Sequence, residues 1–140
     1  MSKPNSLSYR TSAAFAATVF AVLAACLWGA PDVLHTVLGL EGTDDAELVM
    51  GRAGVLFAAF ASLLWASRSE EPSYLRTQIA FSVLLAMLGL VLFGLVEWLS
   101  GRVGPGIAFA IAVELLIASM FLPHAKGGDT MSANNSGEEK

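Results

Sequence analysis

Arg52 and Glu114 each stand inside a long apolar stretch, with no other charge within four residues on either side. Ionisable groups in such surroundings are costly, and they serve as ion pairs, proton relays or neutral hydrogen-bonding acids. Glu114 lies near the middle of its stretch. Arg52 lies about five residues outward of the centre of its own, roughly 8 Å at 1.5 Å per residue. Helical side chains lean toward the N-terminus of their own helix, so Arg52 is expected to snorkel toward the outer interface. There it would meet Glu97 or Glu47, the two acids near outer helix ends. Glu114 is expected to be a neutral acid, with Thr18 at the same depth as its candidate hydrogen-bond partner. An ion pair with Arg52, and a transport role for both charges, are the competing readings.

The remaining reactive side chains are few. His35 has no second His, Cys or carboxylate at metal-ligand spacing, so a solvated loop histidine and no metal site are expected. His124 reads the same way. No paired histidines lie within the apolar stretches to ligate haem, and no cofactor is expected. Cys26 is the lone cysteine, which excludes a disulfide within one chain. It closes the tetrapeptide Leu23-Ala24-Ala25-Cys26, which resembles a bacterial lipobox and makes Cys26 a candidate for lipidation. Such tetrapeptides arise readily in Ala/Leu-rich helices. The small-x-small cleavage pattern is also poor, because Trp28 precedes Ala30 by two and Pro31 would follow the cut. An uncleaved N-terminus is the expectation.

Those residues need elements to hold them, and composition names the class. Of 140 residues, 55% are hydrophobic and 14% charged, whereas a soluble domain carries about a quarter charged residues. The net charge of −4, without a basic run, argues against nucleic acid as a partner. Four apolar stretches, at about 12–29, 46–66, 78–99 and 106–122, are long enough to cross a bilayer. They lack the alternation of barrel strands. The predicted fold is all-α: a four-helix transmembrane bundle over 1–122, followed by a disordered cytoplasmic tail over 123–140.

Punctuation between the spans fits helices. Asp44 with Glu47 resembles a capping box, and Pro72 suits a first helical turn. Gly104-Pro105-Gly106 makes a tight turn that sets the third and fourth spans antiparallel. Residues 32–40 place Val33, Leu34, Val37, Leu38 and Leu40 at roughly helical spacing, and both an interfacial helix and a loop over the bundle remain open. Ala13, Ala17, Ala21, Ala25 and Gly29 recur at four-residue intervals, a ridge that permits close helix approach.

Lys3, Arg10, Arg68, Arg76, Lys126 and Lys140 flank one side of the predicted bundle, and Arg102 alone flanks the other. The positive-inside rule then puts both termini in the cytoplasm, with a bacterial inner (plasma) membrane as the expected location. Trp28 and Trp98 would mark the outer interface, and Tyr9, Trp65 and Tyr74 the inner one.

Four compact spans, an arginine early in the second within Glu47-Leu-Val-Met-Gly-Arg52-Ala-Gly54, and a short polar connection to the third resemble the DoxX-like family and related small four-helix membrane domains. The resemblance covers most of the chain. It implies a four-helix fold, and some relatives are linked with quinone-associated electron transfer, a role that no residue here carries over. The expected function is a non-enzymatic accessory or interaction component that contacts lipid or other membrane proteins. A small proton-linked carrier using Glu114 and Arg52 is the alternative, and a quinone-associated oxidoreductase subunit a further one. The topology has a direct check. Reporters fused after Lys140 and after Arg68 should read cytoplasmic and one within 42–45 external, whereas the inverted pattern would reject the assignment.

Overall fold

A computed structural model describes residues 8–39 and 43–125, which form five helices. These are α1 (Tyr9–Gly29), α2 (Pro31–Leu38), α3 (Asp44–Ser67), α4 (Tyr74–Leu99) and α5 (Ile107–Ala125). Four of them, α1, α3, α4 and α5, are long and apolar enough to cross a membrane. The all-α four-helix architecture is therefore as expected, and the described residues contain no strand.

Capping sets the helix starts, and it moves several expected boundaries. The Ser8, Thr43 and Ser73 side chains accept from the backbone N–H three residues on, at Thr11, Ala46 and Arg76. Polar first turns such as Tyr9-Arg10-Thr11 are thereby drawn into helices that hydropathy alone would trim. Thr43, not Asp44, is the N-cap of α3, and Pro72 lies just before the Ser73 cap rather than in the first turn. Pro31 instead takes the first position of α2, where a missing N–H costs nothing. The segment 32–40 thus resolves as a short helix through Leu38, with Leu40 outside the described residues. Pro123 was the expected start of the disordered tail, yet α5 continues through it to Ala125. A proline so near the helix end forfeits a single backbone hydrogen bond. The rest of the tail, 126–140, lies outside the described residues.

The spans run alternately up and down, and their order around the bundle is α3–α1–α5–α4. α1 packs closely on α3 and α4 on α5; α1 meets α5 more lightly. The buried face of α1 comprises Tyr9, Ser12, Ala13, Ala16, Ala17, Phe20, Ala24 and Leu27. Ala21, Ala25 and Gly29, expected on the same ridge as Ala13 and Ala17, are exposed. A four-residue step overshoots a full helical turn by about 40°, so that row rotates off the contact face. The shared core adds Ala61 and Leu64 from α3, Ala80, Val83 and Met87 from α4, and Ile117, Ala118 and Phe121 from α5.

Each end of the bundle has its own fastening. At one end Tyr9 is 2% exposed and touches every other span. Its hydroxyl hydrogen-bonds Ser67 Oγ at 3.0 Å, and the Arg76 guanidinium lies 4.3 Å above its ring. Phe121 and His124 meet that ring edge-on, at 6.1 and 5.5 Å between centroids. At the other end Trp28 donates to the Gly51 carbonyl at 3.1 Å, and Gly54 leaves room for its indole. There α2 seats on the turn between α4 and α5, where the Gly104 N–H donates to the Leu38 carbonyl at 2.7 Å. A Cβ on Gly106 would strike the Val37 carbonyl, so the backbones themselves are in contact.

That contact makes Gly106→Ala a test of the fastening under α2. It should lower stability by about 1–3 kcal/mol, the usual range for overpacking. Gly29→Ala, where an added Cβ meets nothing within 4 Å, should be close to neutral. Unfolding of both variants in mixed micelles checks the contrast, and equal stabilities would refute it.

Candidate functional site

The two charges within the apolar spans do not meet. Arg52 follows the start of α3 by eight residues, about 12 Å along the axis. It is exposed, because the inward face of α3 runs through Gly54, Phe57, Ala61 and Leu64. Glu114 lies on the opposite kind of face, between the buried residues Ile111 and Ile117–Ala118. α3 and α5 are also diagonal in the bundle, separated by α1 and α4. The ion pair considered between Arg52 and Glu114 is therefore not formed.

Glu97 finds a different partner from the one expected. Gly101, at φ 72°, ends α4 in a left-handed turn; its N–H donates to the Trp98 carbonyl and that of Arg102 to the Glu97 carbonyl. This Schellman arrangement folds the chain back over the last helical turn. Arg102 Nε consequently lies 3.0 Å from Glu97 Oε2 and also donates to Ser100 Oγ at 2.9 Å. It is the one ion pair among the described residues, and neither Arg52 nor Glu47, which is exposed, takes part.

Thr18 is not the partner of Glu114. It is exposed and donates to the Ala14 carbonyl of its own helix at 2.9 Å, since the inward face of α1 at Ala16, Ala17 and Phe20 turns it outward. Glu114 Oε2 is buried with no hydrogen-bond partner. So is Nε2 of His35, which is buried in α2 rather than solvated in a loop. Such atoms are rare in native interiors and call for a functional or structural account. Cys26 is a half-buried free thiol in the last turn of α1. No group of three His, Cys, Asp or Glu gathers among the described residues.

A concave feature of the bundle is one that charge-based reading of the sequence misses. Between α3 and α4, the pair of neighbours not packed together, runs a cleft of about 430 Å³. Leu56, Phe57 and Phe60 form one wall, and Val83, Met87 and Leu90 the other. Ala53, Ala86 and Gly89 leave the width, and Phe20 of α1 forms the floor. Phe20 meets the rings of Phe57 and Phe60 at 5.7 and 6.1 Å. Leu56 and Phe60 remain exposed, so the cleft opens sideways from the bundle. Its volume falls in the range of small-ligand pockets, about 300–1,000 Å³. A single signal in the sequence pointed to it, the juxtaposition of bulky Phe57 and Phe60 on one span with Ala86 and Gly89 on the next.

Fold and site together describe a small protein with four helices long and apolar enough to cross a membrane and a lateral apolar cleft between two of them. Comparison with protein-family models, curated proteins and solved structures gives no match. The separation of the two charges is measurable. In a double-mutant cycle of Glu114→Gln and Arg52→Gln, unfolded in bicelles, coupling should stay below about 1 kcal/mol, in line with intramembrane polar pairs. Coupling of several kcal/mol, with the double variant rescuing either single one, would mean that the charges do pair.

Proposed function

We propose that this chain is a non-enzymatic membrane component that works through lateral contacts in the plane of the bilayer. In this reading it resides in a bacterial inner membrane with both termini in the cytoplasm. The observation that carries the reading is the α3/α4 seam, whose neighbouring helices leave a ten-residue apolar cleft open to the side. The α1–α3 and α4–α5 pairs, by contrast, close on each other, and Gly94 of α4 lies against Ile107 and Ile111 of α5. A surface left open along such a seam is suited to contact with something else in the membrane. The orientation is supported by charge: Arg10, Arg68 and Arg76 sit at the Tyr9 end, whereas Arg102 at the other end is paired with Glu97.

One pair of observations favours a second reading, a proton-linked carrier. Glu114 and His35 contribute the buried, unpartnered side-chain atoms among the described residues. In that case Glu114 would take up and release a proton during transport.

Photo-crosslinking separates the two. A diazirine side chain at Leu56 or Leu90, on the cleft, should give a discrete adduct, and one at Phe109 on the exposed face of α5 only diffuse labelling. Proteoliposomes should show no proton flux that depends on Glu114. Equal labelling at all three positions would reject the seam as a working surface. Flux abolished by Glu114→Gln would establish the carrier instead.

A further inference from the structure

α2 does not bury the middle of its apolar face. At about 100° per residue, Val33, Val37, Leu34 and Leu38 form one apolar arc, with His35, Asp32 and Thr36 on the other side. The face turned to the bundle is the border between the two. His35 is 5% exposed and Leu34 and Leu38 are half-buried, whereas Val33 and Val37 are 60% and 49% exposed. The docked helix is thus rolled by about a quarter turn from the seating that would cover its four apolar side chains.

That roll leaves a histidine inside with nothing to bond, since Nε2 of His35 is buried without a partner. The titratable groups on the elements around α2 are Cys26 of α1, Glu97 and Arg102 at the α4–α5 turn, and Glu114 of α5. None of them reaches that nitrogen, and Glu97 is held by Arg102. Asp32, one turn before His35 on α2 itself, is exposed and forms no ion pair with it. A neutral ring forfeits one hydrogen bond in such a place. A protonated ring would be a buried cation without a counter-charge, which costs far more.

The helix is also lightly held. Its eight residues are too few to be helical on their own. Among the described residues no side-chain hydrogen bond or ion pair ties α2 to another helix, since Thr36 donates to the Asp32 carbonyl of α2 itself. It rests on the bond from the Gly104 N–H to the Leu38 carbonyl and on the packing of Gly39 and Val37 against Gly104 and Gly106. Non-helical joints bound it on both sides, Ala30 at φ −151° and ψ 57° and Gly39 in the left-handed region at φ 68°. We propose that α2 is a pH-sensitive latch on this end of the bundle, docked while His35 is neutral and released when the ring takes up a proton. Release breaks the Gly104–Leu38 bond and turns His35 out to water beside the Asp32 carboxylate. Only the released state accommodates the proton, so docking is complete above the range in which histidine titrates, about pH 5–8, and is lost as pH falls through it.

The test follows amide hydrogen exchange of the full chain in nanodiscs by NMR, corrected for the intrinsic effect of pH on exchange. Between about pH 7.5 and about pH 5, protection of the Gly104 amide should fall about tenfold, as release coupled to one proton requires. The ring nitrogen shifts of His35 should report protonation with the same midpoint. Amides of Ala118 and Phe121, in the core toward the Tyr9 end, should stay protected throughout. His35→Phe and His35→Gln, which have no proton to take up, should keep Gly104 protected at both pH values, and either variant suffices if the other fails to fold. Glu114→Gln should respond as the wild type does. Gly104 protection that does not change with pH in the wild type would overturn the proposal. So would an equal fall in the His35 variants, which would assign the response to another group. Loss of protection at Ala118 and Phe121 together with Gly104 would also overturn it, because the whole bundle rather than the latch would then be opening.

Discussion

Tyr9 holds one end of all four spans with a single side chain. Its phenol is buried, and a hydroxyl in an apolar interior must find a partner or bear a penalty of about 1–3 kcal/mol. Ser67 supplies the partner from the last residue of α3, and in turn donates to the Leu64 carbonyl, so the chain of hydrogen bonds closes within the protein. Arg76 covers the ring from α4, while Phe121 and His124 border it from α5. The opposite end is fastened by backbone, with Gly104 bonded to Leu38 and Gly106 against Val37. Both ends are thus tied, and the middle is free to differ from seam to seam.

How much of this was legible follows from what a sequence encodes. Depth is one-dimensional and reads directly from apolar length, so the four spans and the ends at which Trp28, Trp98, Trp65 and Tyr74 stand are recoverable. Rotation about each helix axis is not. Thr18 does share the depth of Glu114, and Arg52 does stand in the N-terminal part of its helix, yet both face away from the interior. A residue's azimuth depends on which neighbours its helix acquires, and that is set by the whole bundle. The same ignorance made Ala13, Ala17, Ala21 and Ala25 look like one ridge when half of them turn outward.

Local signals, by contrast, needed only closer reading. Ser8, Thr43 and Ser73 each precede an apolar run by a few residues and cap it. Gly101 after Ser100 is a C-terminal signal whose left-handed turn returns Arg102 to Glu97. That pair forms because both residues belong to one short stretch of chain, whereas a pair between Arg52 and Glu114 would have required two distant helices to agree in depth and rotation. An eight-residue helix carries too little periodicity to reveal that its histidine, His35, faces inward.

The open seam is a consequence of solvent as much as of sequence. Phe20 projects from α1 and, packed at a tilt against Phe57 and Phe60, fills the base of the gap between α3 and α4. In water a slot of this size lined by phenylalanine and leucine would be driven shut, or would cost about 24 cal/mol for each Å³ left empty. Hydrocarbon exerts no such pressure, because acyl chains are as apolar as the walls. A membrane helix pair can therefore remain apart at mid-depth with little penalty, provided that its ends are fixed. Tyr9 at one end and the glycine contacts under α2 at the other meet that condition. An open cleft is accordingly compatible with a bundle of such apolar spans, and its floor is formed by Phe20, the one aromatic ring that reaches it from outside the two helices forming its walls.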